Sequence, residues 1–251
     1  MFGRKYKSLA ENITVSNPDE DIKQANRIQT SILNAAEKKA LVWLAERQPK
    51  WVSSDFLTYL GVFGALITGL GYWLSDFNIA WLWLSSFGLL LNWYGDSLDG
   101  TLARVRNCQR KTYGYYLDHT VDGICEGLVL LGLGLSNLVY LPIALVAHIF
   151  YLLMTVNVSI NAHLKGEFKL TYARLGPTEL RLIVIIINTL LICVPAITRF
   201  RMHTSIMGRP MVFTAFDLAG MAIIAIFAII YMVTIVKDAR GYAKIDPLIK
   251  K

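Results

Sequence analysis

Six apolar stretches of membrane-spanning length follow one another along this chain: Phe56–Leu74, Ile79–Leu98, Tyr113–Leu135, Leu138–Ala162, Glu179–Ile197 and Phe216–Val236. In hydrocarbon each backbone N–H and C=O has to be satisfied inside the segment itself, so runs of roughly 17–25 mostly apolar residues cross as helices. The expected fold class is an all-α integral membrane protein with six transmembrane helices. The second and third stretches differ from the others, because each runs from an apolar half into an end crowded with aspartates.

Charged residues make up only 17% of the chain, and the net charge of +7 comes from lysines and arginines just outside the apolar stretches. A basic face for nucleic acid is therefore not expected; membrane-surface charge explains the excess. Arg4 to Lys50 precede the first stretch, Arg104, Arg106, Arg110 and Lys111 separate the second from the third, and Lys165, Lys169 and Arg174 separate the fourth from the fifth. By the positive-inside rule these links and both termini belong in the cytoplasm, with Arg199, Arg201 and Arg209 as the one exception. The polar N-terminus lacks the apolar core of a cleavable signal peptide.

Ahead of the first stretch, Ile32, Leu33, Ala36, Ala40, Leu41, Trp43 and Leu44 recur near helical spacing with Glu37, Lys38, Lys39 and Arg47 between them. This predicts an N-terminal interfacial amphipathic helix, or an ordinary helix packed on the bundle, ended by Pro49. The expected organisation is a cytoplasmic segment over 1–50, a membrane domain over 51–238 and a basic tail over 239–251. Cys108, Cys125 and Cys193 have no CxxC spacing and read as reduced structural thiols. Trp51, Trp73, Trp81, Trp83 and Trp93 fit interfacial belts near span ends.

Carboxylates inside a membrane are costly and mark function. Asp96, Asp99, Gly100 and Ala103 are spaced i, i+3, i+4, i+7, which sets two acids and two small residues on one helical face. Asp118 and Asp122 share a face of the next helix, with Gly114 one turn earlier on the same stripe. An antiparallel pair joined through residues 104–112 would bring all four acids into one pocket. Such a set repels itself and calls for cations; oxygen ligands without His or Cys suit Mg²⁺, Mn²⁺ or Ca²⁺, and four shared acids could hold two ions, as in phosphoryl-transfer sites. Gly100, Ala103 and Gly114 leave room for a nucleotide, and Arg104 offers a cationic fork to phosphate oxygens.

Asp96-Ser-Leu-Asp99-Gly100-Thr-Leu-Ala103-Arg104 followed by Gly114-Tyr-Tyr-Leu-Asp118-His-Thr-Val-Asp122 matches DxxDGxxAR and GxxxDxxxD, so the chain resembles the CDP-alcohol phosphotransferase family over nearly all of Trp51 to Val236. The resemblance implies two divalent cations, Mg²⁺ or Mn²⁺, that hold the pyrophosphate of a CDP-alcohol, with CMP leaving after an acceptor hydroxyl attacks. It implies Asp96, Asp99, Asp118 and Asp122 as metal ligands, Asp122 also as the catalytic base, and Gly100, Ala103, Arg104 and Gly114 as residues around the CDP moiety. Phospholipid synthesis is then the expected pathway. The expected partners are a CDP-alcohol donor and an alcohol acceptor, one of them a lipid, with a second copy of the chain in a homodimer. CDP-diacylglycerol is the expected donor and a small polar alcohol the acceptor; a bacterial inner membrane is the expected location.

His119, His163, Lys165, Arg174 and Glu179 lie at the level of the acids and are candidates for holding the acceptor. Positive-inside topology explains the basic ones equally well. The Asp118-His119 pair and Gly176-Pro177-Thr178-Glu179 are similar to the aminoalcohol branch, in which CDP-choline or CDP-ethanolamine donates to a lipid alcohol. The plainer alternative is that Pro177 opens a helix in its first turn. Asp55 stands where many relatives carry a Pro-Asn pair, and Asp217 reads as an acid at a helix N-terminus. A different class, a cation transporter, would use the same acids but leaves Gly100, Ala103, Arg104 and Gly114 unexplained.

Overall fold

The structure is a computed structural model that describes residues 26–28, 33–165, 167–169, 177–206 and 208–247. Helix α1 spans Asn34–Glu46, α2 Ser54–Leu74, α3 Leu82–Val105, α4 Lys111–Gly134, α5 Leu141–Lys165, α6 Pro177–Cys193, α7 Pro195–Arg199 and α8 Ala215–Ile245. A 3₁₀ turn, Ile79–Trp81, leads into α3. Each of the six apolar stretches thus forms a long helix. By length and composition α2, α5 and α8 qualify as membrane spans, with mean hydropathies of 1.4, 2.0 and 2.6. The aspartates make α3 and α4 more polar, and α6 has only 17 residues.

Burial runs inside out relative to a water-soluble bundle. Thr58, Thr68, Ser85, Ser86, Asn92 and Asn188 are buried, while Ile186, Ile229, Val233 and Val156 are more than half exposed. Such an exterior is satisfied by lipid, and association inside it relies on close backbone approach and hydrogen bonds. Both are present. A Cβ on Gly64 would lie 2.4 Å from the Asn92 nitrogen, one on Gly95 2.4 Å from the Gly61 nitrogen and the Leu57 carbonyl, and one on Gly132 2.2 Å from the Gly69 carbonyl. Asn92 donates to the Gly61 carbonyl at 3.0 Å and Ser85 to the Thr68 carbonyl at 3.0 Å. Asn188 of α6 donates to Ser86 Oγ at 3.2 Å and accepts from the Tyr72 hydroxyl at 3.2 Å, tying α6 to α3 and α2.

The ends of the helices are set by local chemistry. Ser53 caps α2 through the Phe56 N–H. Asn107, at φ 52°, ends α3 in the left-handed conformation that Asn tolerates, and the bonds from Cys108 N–H to the Ala103 carbonyl and from Asn107 N–H to the Arg104 carbonyl complete a Schellman turn. That turn leads the chain into α4, which packs against α2 and α5. Arg106 then donates to the carbonyls of Val52, Gln48 and Pro49, fastening the end of α3 to the link between α1 and α2.

Helix α1 packs Leu41 and Ala45 against Val52, Leu57, Leu98 and Leu102. Glu37 Oε1 accepts from Trp93 Nε1 at 2.9 Å and from Thr178 Oγ1 at 2.5 Å, so α1 is docked on α3 and α6. Of the expected 1–50 segment, helix α1 is packed onto the bundle.

Four departures from the sequence reading stand out. The fifth apolar stretch does not run to Ile197: α6 stops at Cys193, because Pro195 has no N–H for a helical bond and opens α7 instead. The link to α8 contains an antiparallel hairpin, β3 Met202–Ile206 with β4 Arg209–Phe213, paired Ile206 to Arg209 across a turn in which Gly208 adopts φ +76°. A short parallel pairing joins β1, Asn26–Ile28, to β2, Glu167–Lys169. Helix α8 passes through the expected tail boundary at 239 and ends at Ile245, since no breaker precedes Pro247.

Asp217 is 1% exposed and does more than carry charge at a helix start. It forms a capping box with Thr214 and accepts from the Tyr140 N–H at 2.6 Å, joining α8 to the start of α5.

Candidate active site

Helix α3 carries Asp96 and α4 carries Asp118 and Asp122, and the chain reverses between them at the Asn107 turn, so that these parts of the two helices come to one place. Asp96, Asp118 and Asp122 meet there: each offers a carboxylate oxygen, and these oxygens all lie within 4.8 Å of one another. Three hard oxygen donors so close, each half-buried and with no His or Cys among the three, fit a Mg²⁺- or Mn²⁺-sized ion.

Asp99, the fourth expected acid, stands beside this trio rather than within it. Its Oδ2 accepts from Thr58 Oγ1 at 2.6 Å, its Oδ1 accepts from the Gly100 N–H, and the residue is 8% exposed. Ser54 Oγ also donates to the Asp99 carbonyl at 3.0 Å, so the first turn of α2 fixes this part of α3. Each carboxylate oxygen keeps a second lone pair, which leaves Asp99 able to ligate from where it is held.

Gly100 and Gly114 are glycines of a different kind from those in the helix crossings. A Cβ on Gly114 would meet nothing within 4 Å, and one on Gly100 would meet only Arg104 Nη1 at 3.5 Å. Helix packing does not require them to be small, and the space beside each is open. Arg104 is exposed at the end of α3, where Nη2 donates to Thr101 Oγ1 at 2.9 Å, whereas Ala103 is buried against the protein. Asp55 pairs with Arg110 across the mouth of the α3–α4 link, and that partner raises the guanidinium's pKa.

The described acceptor candidates stand on three helices: His119 on α4, His163 and Lys165 on α5, and Glu179 on α6. His119 Nδ1 sits 3.0 Å from the Tyr115 carbonyl, with its ring stacked on Tyr115 at 4.1 Å and 3.8 Å from Asp118 Oδ2. Glu179 is 7% exposed and its Oε1 accepts from the Leu33 N–H at 2.9 Å, which anchors the start of α1. His163 is exposed on the last turns of α5, where Lys165 ends the helix. Arg174 lies outside the described residues.

Arg181 was not legible as a site residue. It follows Glu179 by two positions and reads as the charged flank of an apolar run, yet Nη2 donates to Asp96 Oδ2 at 2.7 Å with both side chains largely covered. The signal was the arginine itself, since a cation within an apolar stretch needs a partner.

A stretch of 84 residues is 31% identical to the phosphatidylinositol phosphate synthase of Cutibacterium acnes (strain DSM 16379 / KPA171202), covering 34% of this chain and 38% of that protein. The chain thus matches well under half the length of this relative. The sequence model of the CDP-alcohol phosphatidyltransferase family matches residues 51–235, from the link before α2 to the last third of α8. With its inside-out burial, its motif and this match, the chain belongs to the CDP-alcohol phosphatidyltransferase family of membrane-bound transferases.

Proposed function

We propose that this protein transfers the phosphatidyl group of CDP-diacylglycerol to the hydroxyl of a small polar alcohol, with release of CMP. The observation that carries the reading is the convergence of Asp96, Asp118 and Asp122 beside the open faces of Gly100 and Gly114. Asp96, Asp99, Asp118 and Asp122 would hold two divalent cations. When bound, those ions supply charge neutralisation at the phosphoryl oxygens in flight.

The chain's own groups do the rest. Gly100 and Gly114 admit the cytidine diphosphate to the backbone, Arg104 pairs with its phosphate oxygens, and Asp122 takes the proton from the acceptor hydroxyl. The acceptor oxygen forms a new bond to the phosphatidyl phosphorus as the bond from that phosphorus to the CMP oxygen breaks, so the products are a phosphodiester and CMP.

The relative's name favours an inositol phosphate among the small polar acceptors. His163, Lys165 and Arg174 stay in the proposal as its basic side, with His119 and Glu179 as positions that shape it. The six long helices are taken as six spans, with α1 and the catalytic end at the cytoplasmic face of a bacterial inner membrane. The domain spans 51–238, and a homodimer is the proposed assembly.

Purified protein supplied with CDP-diacylglycerol, CDP-choline or CDP-ethanolamine and a panel of polar and lipid alcohols tests this. CMP release from CDP-diacylglycerol alone, lost in Asp122→Asn, supports the reading. Release from CDP-choline with a lipid alcohol would replace it with the aminoalcohol reaction, and ion flux without CMP with a transporter.

A further inference from the structure

Glu126 and Arg181 belong to the pocket but have no part in the transfer just described. Glu126 follows Asp122 by one turn of α4, on the face that carries Asp118 and Asp122. It is half-buried, accepts no hydrogen bond from the described residues and lies within electrostatic reach of Arg181. Arg181 bonds Asp96 and also acts electrostatically on Asp122. One guanidinium therefore holds Asp96 at the acid trio, and Glu126 stands one turn of α4 beyond Asp122 with no hydrogen bond from the described residues.

A cation bound at Asp96 and the guanidinium on the same carboxylate repel one another. Arginine cannot shed its charge, and a covered charge has to keep a counter-ion. Glu126, one turn beyond Asp122, is a carboxylate that neither the trio nor the proposed transfer uses. Two divalent ions and one guanidinium would also match the charge of the five acids Asp96, Asp99, Asp118, Asp122 and Glu126.

We propose that Arg181 and Glu126 are paired positioning residues: Arg181 holds Asp96 while the pocket lacks a cation and passes to Glu126 when a cation takes Asp96. The inference rests on the metal-dependent reading above, so its test has to separate the two.

The probe is Mn²⁺ alone, titrated into the full chain in detergent, with uptake followed by the resonance signal of free Mn²⁺ and melting temperature recorded in parallel. Glu126→Gln should raise the Mn²⁺ midpoint about tenfold, the low end of what a lost supporting partner costs a metal site. Arg181→Met should lower the melting temperature without metal, because Asp96 loses its partner. Adding Glu126→Gln to Arg181→Met should move the midpoint less than about twofold, since there is no guanidinium left to relocate. If Arg181→Met does not fold, Arg181→Gln replaces it in the same cycle. An equal effect of Glu126→Gln with and without Arg181 would make Glu126 a general negative charge and overturn the pairing. Mn²⁺ binding to the wild type with no change in Glu126→Gln would overturn the pairing alone. No Mn²⁺ uptake by the wild type would overturn the metal-dependent reading and the pairing together.

Discussion

The two kinds of glycine can be separated by adding one methyl group to each. At Gly95 the new Cβ falls 2.4 Å from the Leu57 carbonyl oxygen and from the Gly61 nitrogen, so α2 and α3 have to part by roughly 1 Å to restore ordinary contact. The separation also stretches the 3.0 Å bond from Asn92 to the Gly61 carbonyl. Overpacking costs about 1–3 kcal/mol and the weakened bond up to about 1 kcal/mol, set against about 1 kcal/mol gained in helix propensity. Gly95→Ala should therefore destabilise by about 2 kcal/mol, a drop in melting temperature of roughly 4–8 °C for a chain of this size. At Gly114 the same methyl meets nothing, so the melting temperature should hold or rise by a few degrees. It would nonetheless occupy the space proposed for the nucleotide, and an overlap costing about 1–3 kcal/mol lowers kcat/KM for the CDP donor roughly 5- to 160-fold. Melting curves in detergent and CMP release on the same preparations measure both. A Gly114→Ala protein that melts early, or a Gly95→Ala protein as stable as the wild type, would refute the distinction.

Other perturbations probe neighbouring parts. Thr58→Val removes the 2.6 Å bond to the buried Asp99 carboxylate, and should cost about 1–3 kcal/mol and raise the metal concentration that half-saturates CMP release; an unchanged metal midpoint and melting temperature would contradict this. Treating the protein with EDTA should abolish CMP release, and Mg²⁺ or Mn²⁺ should restore it, as measured by released CMP; full activity after EDTA would contradict the metal reading. Asn188→Leu breaks the bonds to Tyr72 and Ser86 and should destabilise by about 1 kcal/mol, the usual scale for hydrogen bonds between membrane helices, measured by thermal melting.

The helices were legible because each apolar stretch has a length and composition that hydrocarbon imposes. What interrupts them was less so. Ile-Cys-Val-Pro-Ala-Ile keeps its apolar character through Pro195, so hydropathy runs on where backbone bonding stops. The hairpin around Gly208 is made of two five-residue strands inside a connection that reads only as a loop. At the site, the spacing of Asp96, Asp118 and Asp122 on two consecutive helices was enough to bring them together. The Thr58 bond to Asp99 was not readable, because the partners lie 41 positions apart and only the crossing of α2 over α3 joins them. Glu126 was illegible for a simpler reason: it lies just beyond the end of the motif, in a run that otherwise looks like span.

The docking of α1 has a consequence for the order of assembly. Leu33 and Glu37 are made early, but their partners Glu179 and Thr178 follow 146 and 141 residues later. At synthesis rates of about 5–20 residues per second, α1 waits roughly 7–30 s before α6 exists to receive it. Such distant contacts are the slowest to close. Helix α1 can therefore settle on α2 and α3 well before its bonds to α6 form, and its last contacts close only when α6 arrives.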